Sequence, residues 1–269
     1  MIVVELVKML RRPRTWVTIG MLNALPTLVA VLLALTDLGP RPGTGPAFLS
    51  AVLTDGTLFP LAALAIVLPF LLPIAVAVFS GDAIAGEAAD GTLRYMVIRP
   101  VGRTTLLVAK LVSVIAFVLL AVLVVAATAY VMGTLLLGDQ TGATTSVSGT
   151  SLSATQISGR TALSIGYVVL SMLGVAAIAL FLSTVTDSSL GAALGALGVL
   201  VASSLLFTLD AAAALQPYLP TRYWLSFVDL FRDPILWRDV VRGVVLQGVY
   251  VAVFLGASWA NFTTKDITS

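Results

Sequence analysis

The sequence contains no cysteine and no histidine, and only 10% of its 269 residues are charged. Without cysteine there are no disulfides and no thiolate metal sites. Without histidine there are no imidazole ligands, no Ser–His nucleophile systems and no histidine proton shuttles. Soluble domains carry about 25% charged residues, so charge this sparse leaves too little polar surface to wrap a water-soluble globule. No Gly-x-x-x-x-Gly-Lys-Ser/Thr phosphate loop occurs either, so the chain does not cradle a nucleotide in that way. What fills the sequence is apolar, 59% of it hydrophobic. This is the composition of an integral membrane protein. Its net charge of +2 comes from Arg and Lys flanking apolar runs and makes no case for nucleic acid as a partner.

A bilayer core about 30 Å thick asks for about 20 apolar residues per helical crossing. Six uncharged stretches are long enough, at about residues 16–36, 58–80, 111–137, 161–184, 189–209 and 243–260. Their length without alternation predicts helices rather than the short alternating strands of an outer-membrane barrel. The expected fold is therefore an all-α membrane protein with six transmembrane helices, forming a single transmembrane domain over residues 1–269. The first stretch is longer than a signal-peptide core and lacks a small-x-small cleavage site, so it is expected to be retained. Lys8, Arg11, Arg12, Arg14, Arg94, Arg99, Arg103, Lys110 and Lys265 fall on one side of these spans. Arg41, Arg160, Arg222, Arg232, Arg238 and Arg242 fall on the other, where Asp210, Asp229, Asp233 and Asp239 accompany several of them. The positive-inside rule then predicts a multi-pass protein of the cytoplasmic membrane with both termini in the cytoplasm.

Three connections carry a pattern. Residues 1–12 place Val3, Leu6, Val7 and Leu10 on one helical face and Glu5, Lys8 and Arg12 on the other, which predicts an amphipathic helix in the headgroup plane. Residues 138–159, rich in Ser, Thr and Gly, predict a flexible exposed loop. Residues 210–242 hold Pro217 and Pro220 and then Tyr223, Trp224, Phe227, Leu230, Phe231 and Trp237, which predicts short interfacial or re-entrant helices between spans five and six.

Inside the spans there is no Asp, Glu, Lys or Arg. Ion-coupled transporters normally carry a titratable group at mid-membrane, so proton-coupled exchange is disfavoured. Asn23 and Gln247 are the polar exceptions and are expected to form hydrogen bonds between helices. Pro60, Pro69 and Pro73 predict that the second span is bent. Gly191, Gly195 and Gly198 form a small-residue face on the fifth, suited either to packing within the chain or to a dimer contact.

Residues 80–112 form the most patterned stretch outside the spans. Glu87 and Asp90 precede Gly91. Thr92 then caps a predicted short helix with Leu93, Met96 and Val97 on one face, which Pro100 ends. A short amphipathic helix with charges of both signs, Arg94 and Arg99 among them, has the character of a docking element. In this segment Glu87, Gly91-Thr92-Leu93 and Arg99-Pro100-Val101-Gly102-Arg103 resemble the signature region of the type-2 ABC (ATP-binding cassette) transporter permeases. The resemblance covers nearly the whole chain: the amphipathic N-terminal helix with Arg12-Pro13, six spans, an aromatic connection between spans five and six, and an ending, Lys265-Asp266-Ile267, that is less basic than is usual for the family.

The resemblance implies a permease subunit that works with two copies of a cytosolic ATP-binding cassette ATPase and with a second permease copy, identical or related, in the lipid bilayer. No cofactor is expected in this chain; ATP and Mg belong to the ATPase. It further implies that Glu87, Asp90, Gly91, Thr92, Leu93, Arg94, Met96, Val97, Arg99, Pro100 and Arg103 form the coupling helix region. There Glu87 pairs with a basic ATPase group or accepts N–H bonds from the start of that helix. The family's transport route runs between the second and fifth spans, where Phe59, Phe70, Ser203, Ser204 and Phe207 suggest a lipophilic or amphipathic drug, lipid or peptide. The residues alone also admit a non-transporting membrane anchor or sensor, or an enzyme built without His, Cys or a buried carboxylate.

Overall fold

A computed structural model describes residues 1–36, 48–49, 51–53, 55–91, 102–137, 144–145 and 151–264. Eight α-helices organise these residues: α1 (Ile2–Arg11), α2 (Pro13–Leu35), α3 (Phe59–Val67), α4 (Leu71–Ala89), α5 (Arg103–Met132), α6 (Ala154–Val185), α7 (Ser189–Thr208) and α8 (Trp237–Thr264). Six are long and apolar enough to cross a membrane: α2, α4, α5 with its continuation to Leu137, α6, α7 and α8. The all-α, six-span expectation holds. A two-residue antiparallel pair, Thr144–Thr145 with Ser151–Leu152, is the strand structure among the described residues.

Helix ends follow local chemistry. Ser153 and Gln156 form a reciprocal cap at the start of α6, with the Gln156 amide donating to Ser153 Oγ at 3.3 Å and the Ser153 amide to Gln156 Oε1 at 2.9 Å. Six residues expected in a loop, 154–159, are therefore helical. Pro13 stands at the first position of α2, where no intrahelical donor is needed. Thr15 Oγ1 and Trp16 Nε1 reach back across this elbow and donate to the Met9 and Leu10 carbonyls, each at 2.8 Å, so the open end of α1 is capped by side chains of α2.

The second expected span is broken rather than merely bent. Pro60 and Pro73 lie in the first turns of α3 and α4, where a missing N–H costs nothing. Pro69 lies between the helices, where it removes a donor and ends α3. The membrane-length segment is consequently 71–89, not 58–80. Residues 81–89, expected outside the spans, complete the helix, which stops at Gly91. That glycine adopts φ 67°, a left-handed conformation that favours glycine, and its amide donates to the Ala88 carbonyl at 3.0 Å.

At the centre stands α6, packed against α4, α5, α7 and α8, while α4 lies between α6 and α7. Between apolar helices in lipid no hydrophobic driving force operates, so close packing and hydrogen bonds hold the bundle. Gly81 lets α4 approach α7, because a Cβ there would sit 2.9 Å from the Ala193 nitrogen. The Ser183 hydroxyl on α6 donates to the Gly81 carbonyl at 2.7 Å and accepts from the Ile84 and Ala85 amides at 3.0 and 2.8 Å, tying α6 to the same turn. Phe79 and Phe117 stack between α4 and α5 with centroids 4.1 Å apart.

The connection between α7 and α8 is packed into the bundle. It consists of short 3-10 turns, the longest at Trp224–Phe231, with Phe227 and Phe231 buried. Its carbonyls are held by the spans: Tyr167 Oη donates to Tyr223 O at 2.5 Å, Gln247 Nε2 to Pro220 O at 2.7 Å and Tyr250 Oη to Tyr218 O at 2.9 Å. Gln247 thus bonds the connection and not another span. Asn23 bonds within its own helix, donating to Ile19 O at 2.7 Å. Gly191, Gly195 and Gly198 are exposed, and α7 meets α4 instead through buried Ala192, Ala193 and Ala196.

Candidate functional site

Two sites lie at opposite ends of α4. At the end shared with the chain termini, charged residues from three helices converge. Lys8 Nζ of α1 lies 2.6 Å from Glu87 Oε1 of α4, and Lys110 Nζ of α5 lies 2.8 Å from Glu5 Oε2 of α1. Lys110 also pairs with Glu87. Glu5, Glu87 and Lys110 are 7%, 4% and 4% exposed, so two buried carboxylates alternate with one buried ammonium group and with that of half-exposed Lys8, compensated in charge. Buried ions are tolerated only in such an arrangement, because an unmatched one carries a desolvation penalty of several kcal/mol. Beside it, Arg12 and Arg14 converge on Asp82 of α4 at 3.4 and 3.2 Å. The cluster surrounds a small cavity of ≈ 30 Å³, and its charges are spent on one another, which gives it the geometry of a joint between α1, α4 and α5.

The face of α1 that meets the protein is therefore the charged one. Glu5 and Met9 are buried, whereas Val3, Val7 and Leu10 face outward, as a helix in the headgroup plane requires. Glu87, expected to meet an ATPase group or the next helix start, is turned inward onto two lysines of its own chain. Lys8 and Lys110 lie 79 and 23 residues away in sequence, and only tertiary structure brings them to it. Asp90 and Gly91 are exposed at the end of α4. Arg103 donates to the Thr263 carbonyl at 3.0 Å, joining the start of α5 to the end of α8. Thr92, Leu93, Arg94, Met96, Val97, Arg99 and Pro100 lie outside the described residues, as does Lys265-Asp266-Ile267.

The opposite end of α4 borders a cavity of ≈ 170 Å³ lined by Leu68, Pro69, Phe70, Ser204, Phe207, Thr221, Trp224 and Leu225. The helix break at Pro69 forms one wall, the end of α7 a second and the α7–α8 connection the third. Phe70, Ser204 and Phe207 of the expected path meet here. Ser203 is buried behind them, its Oγ 2.7 Å from Thr221 Oγ1, and so positions the connection. Phe59 does not line the cavity: it is fully buried, packed against Gly133 at the end of α5. Trp224 Nε1 is buried and has no hydrogen-bond partner among the described residues.

Six membrane-length helices, an amphipathic N-terminal helix bracketed to them and a cavity between the second and fifth of the spans agree with one another. The sequence pattern that defines the ABC-2 family transporter proteins matches residues 5–267. The chain belongs to that family. No curated protein matches it. As an ABC-2 transporter protein it is the membrane component, a role in which the chain is not itself a catalyst. Sequence reasoning missed the Glu5–Lys110 pairing. Its one available signal was the spacing of Glu5, Lys8 and Met9, three residues of one helical face that mixes both charges with an apolar side chain.

Proposed function

We propose that this chain is the permease subunit of an ATP-driven exporter in the cytoplasmic membrane, with both termini in the cytoplasm. Two chains, or this chain and a related one, pair in the bilayer and dock two cytosolic ATP-binding cassette subunits that hold ATP and Mg. The observation that carries this reading is the course of α4. One helix of 19 residues, about 28 Å long at 1.5 Å per residue, joins the charged bracket at Glu87 to the cavity at Phe70. A rigid helix clamped at one end transmits a displacement there to the other. Residues 92–101 leave α4 directly beyond the bracket, so a partner that grips them acts on the whole lever. The bracket adds α1 and α5 to the moving body, which supports a role for Glu87 in transmission rather than in direct contact with the ATPase.

The cavity wall is apolar and aromatic, which suits a lipophilic or amphipathic cargo such as a drug, a lipid or a peptide. Docking is tested by Leu93→Asp in the intact chain purified with its ATPase. A carboxylate forced into an apolar groove is expected to lower ATPase retention at least tenfold while membrane insertion stays normal. Undiminished retention would remove residues 92–101 from the docking surface.

A further inference from the structure

Among the arginines at the cavity end of the bundle, most have an acidic neighbour. Arg232 Nε lies 2.8 Å from Asp229, Arg242 3.8 Å from Asp239, and Arg160 lies 3.9 Å from Asp233 while donating to the Arg232 carbonyl. Arg222 and Arg238 have none among the described residues, and of the two it is Arg222 that stacks on a residue of the cavity wall. It forms no ion pair and no side-chain hydrogen bond among the described residues. Its guanidinium carbon stands 4.6 Å from the centroid of the Phe207 ring and 5.9 Å from that of Tyr223. Phe207 is a wall of the ≈ 170 Å³ cavity, and the residues on either side of Arg222 bring Thr221 and Trp224 into the same lining.

The stacked arrangement holds the guanidinium in place by its face and leaves its N–H edge open to an acceptor. The cavity lining includes Leu68, Phe70, Leu225 and Trp224 and holds no carboxylate. A cation stacked on one wall residue of an apolar cavity whose lining holds no counter-ion is complementary to a molecule with a negative group at one end and an apolar body at the other.

We infer that the cargo bound in this cavity is an anionic amphiphile and that Arg222 recognises its negative group. The inference rests on the reading of the cavity as part of the transport route and narrows it from amphipathic molecules in general to anions. Phe207 then has two tasks, as apolar wall and as the platform that orients the guanidinium.

The test uses the full-length chain in nanodiscs of phosphatidylcholine, which supply no competing net charge. Two probes of equal chain length are compared, bromododecanoate and bromododecyl-trimethylammonium. Their bromine quenches indole fluorescence at short range, and the Trp224→Phe variant isolates the contribution of Trp224. The expected result is quenching of Trp224 by the anionic probe at a concentration about tenfold lower than by the cationic one, the scale of one charge-assisted contact. That preference is lost in Arg222→Gln and largely kept in Arg222→Lys. The Arg222 side chain is exposed and forms no ion pair or hydrogen bond among the described residues, so both variants are expected to fold and to stay close to wild-type stability.

Equal quenching by the two probes in the wild-type protein, or an anion preference unchanged in Arg222→Gln, would overturn the inference while leaving the cavity reading intact. No quenching of Trp224 by either probe would overturn the cavity reading itself.

Discussion

Lys110 has a carboxylate on either side of it and almost no exposed surface, so its charge is worth most to the two residues it neutralises. Lys110→Met keeps the aliphatic bulk but removes the ammonium group that both Glu5 and Glu87 face in the buried cluster. Breaking one side of a buried ion pair costs about 3–5 kcal/mol. We expect the purified Lys110→Met protein to lose stability on that scale in thermal unfolding, and Glu87→Gln added to it to recover part of the loss. A single variant within about 0.5 kcal/mol of wild type, the range of an ordinary surface substitution, would show that the pairs seen here contribute nothing. This cluster also marks what a sequence withholds at the level of single residues. Glu87 and Asp82 are conspicuous as charges after an apolar run, and they invite the reading of a solvated loop. Their partners are Lys8, Lys110, Arg12 and Arg14, scattered over two other helices, and nothing local to residues 80–90 specifies them. Asn23 errs in the opposite way: a polar residue in a span invites a partner on another helix, yet the carbonyl four residues back is always within its reach.

Among the elements, α4 carries the account, and its straightness depends on what grips it. Ser183 binds the turn at Gly81–Ala85 from one side and Ala193 presses on Gly81 from the other. Gly81→Val adds branched bulk against backbone that is unable to withdraw without separating α4 from α7, an overpacking cost of about 1–3 kcal/mol. Thermal unfolding of the variant is expected to register that loss, and undiminished stability would mean that α4 and α7 are free to slide apart. The element scale is also where sequence reading fared best. Six apolar runs became six membrane-length helices, and Pro69 betrayed the discontinuity in the second of them. The boundaries were less legible. α4 runs past Ser80, carrying Gly81 and Gly86 in its interior, and stops only where Gly91 takes a left-handed conformation; α6 starts early because Ser153 and Gln156 cap it. Both helices enter a stretch whose composition resembles a loop, and in each a single capping residue outweighs composition.

In the molecule as a whole, the charged bracket and the apolar cavity stand at opposite ends of one lever, and α2, α7 and α8 present largely uncovered apolar faces to their surroundings. Of the expected cavity residues, Phe70, Ser204 and Phe207 were found together because they flank a helix break and a helix end that turn signals disclose. Phe59 was misplaced because an aromatic residue in a span reads alike whether it faces a path or the core. The central claim is that an event at the Glu87 end of α4 is felt at the Phe70 end. Since the natural chain has no cysteine, a bimane fluorophore on Phe70→Cys reports on that cavity alone, where Trp224 quenches it. The decisive measurement is bimane quenching in the complex of this chain with its ATPase, before and after addition of Mg-ATP. A change in quenching on ATP addition, abolished by Glu87→Ala in complexes that still retain the ATPase, is the predicted result. Quenching that ignores ATP in the complex containing Glu87, or that changes equally when Glu87 is replaced by Ala, would contradict the account.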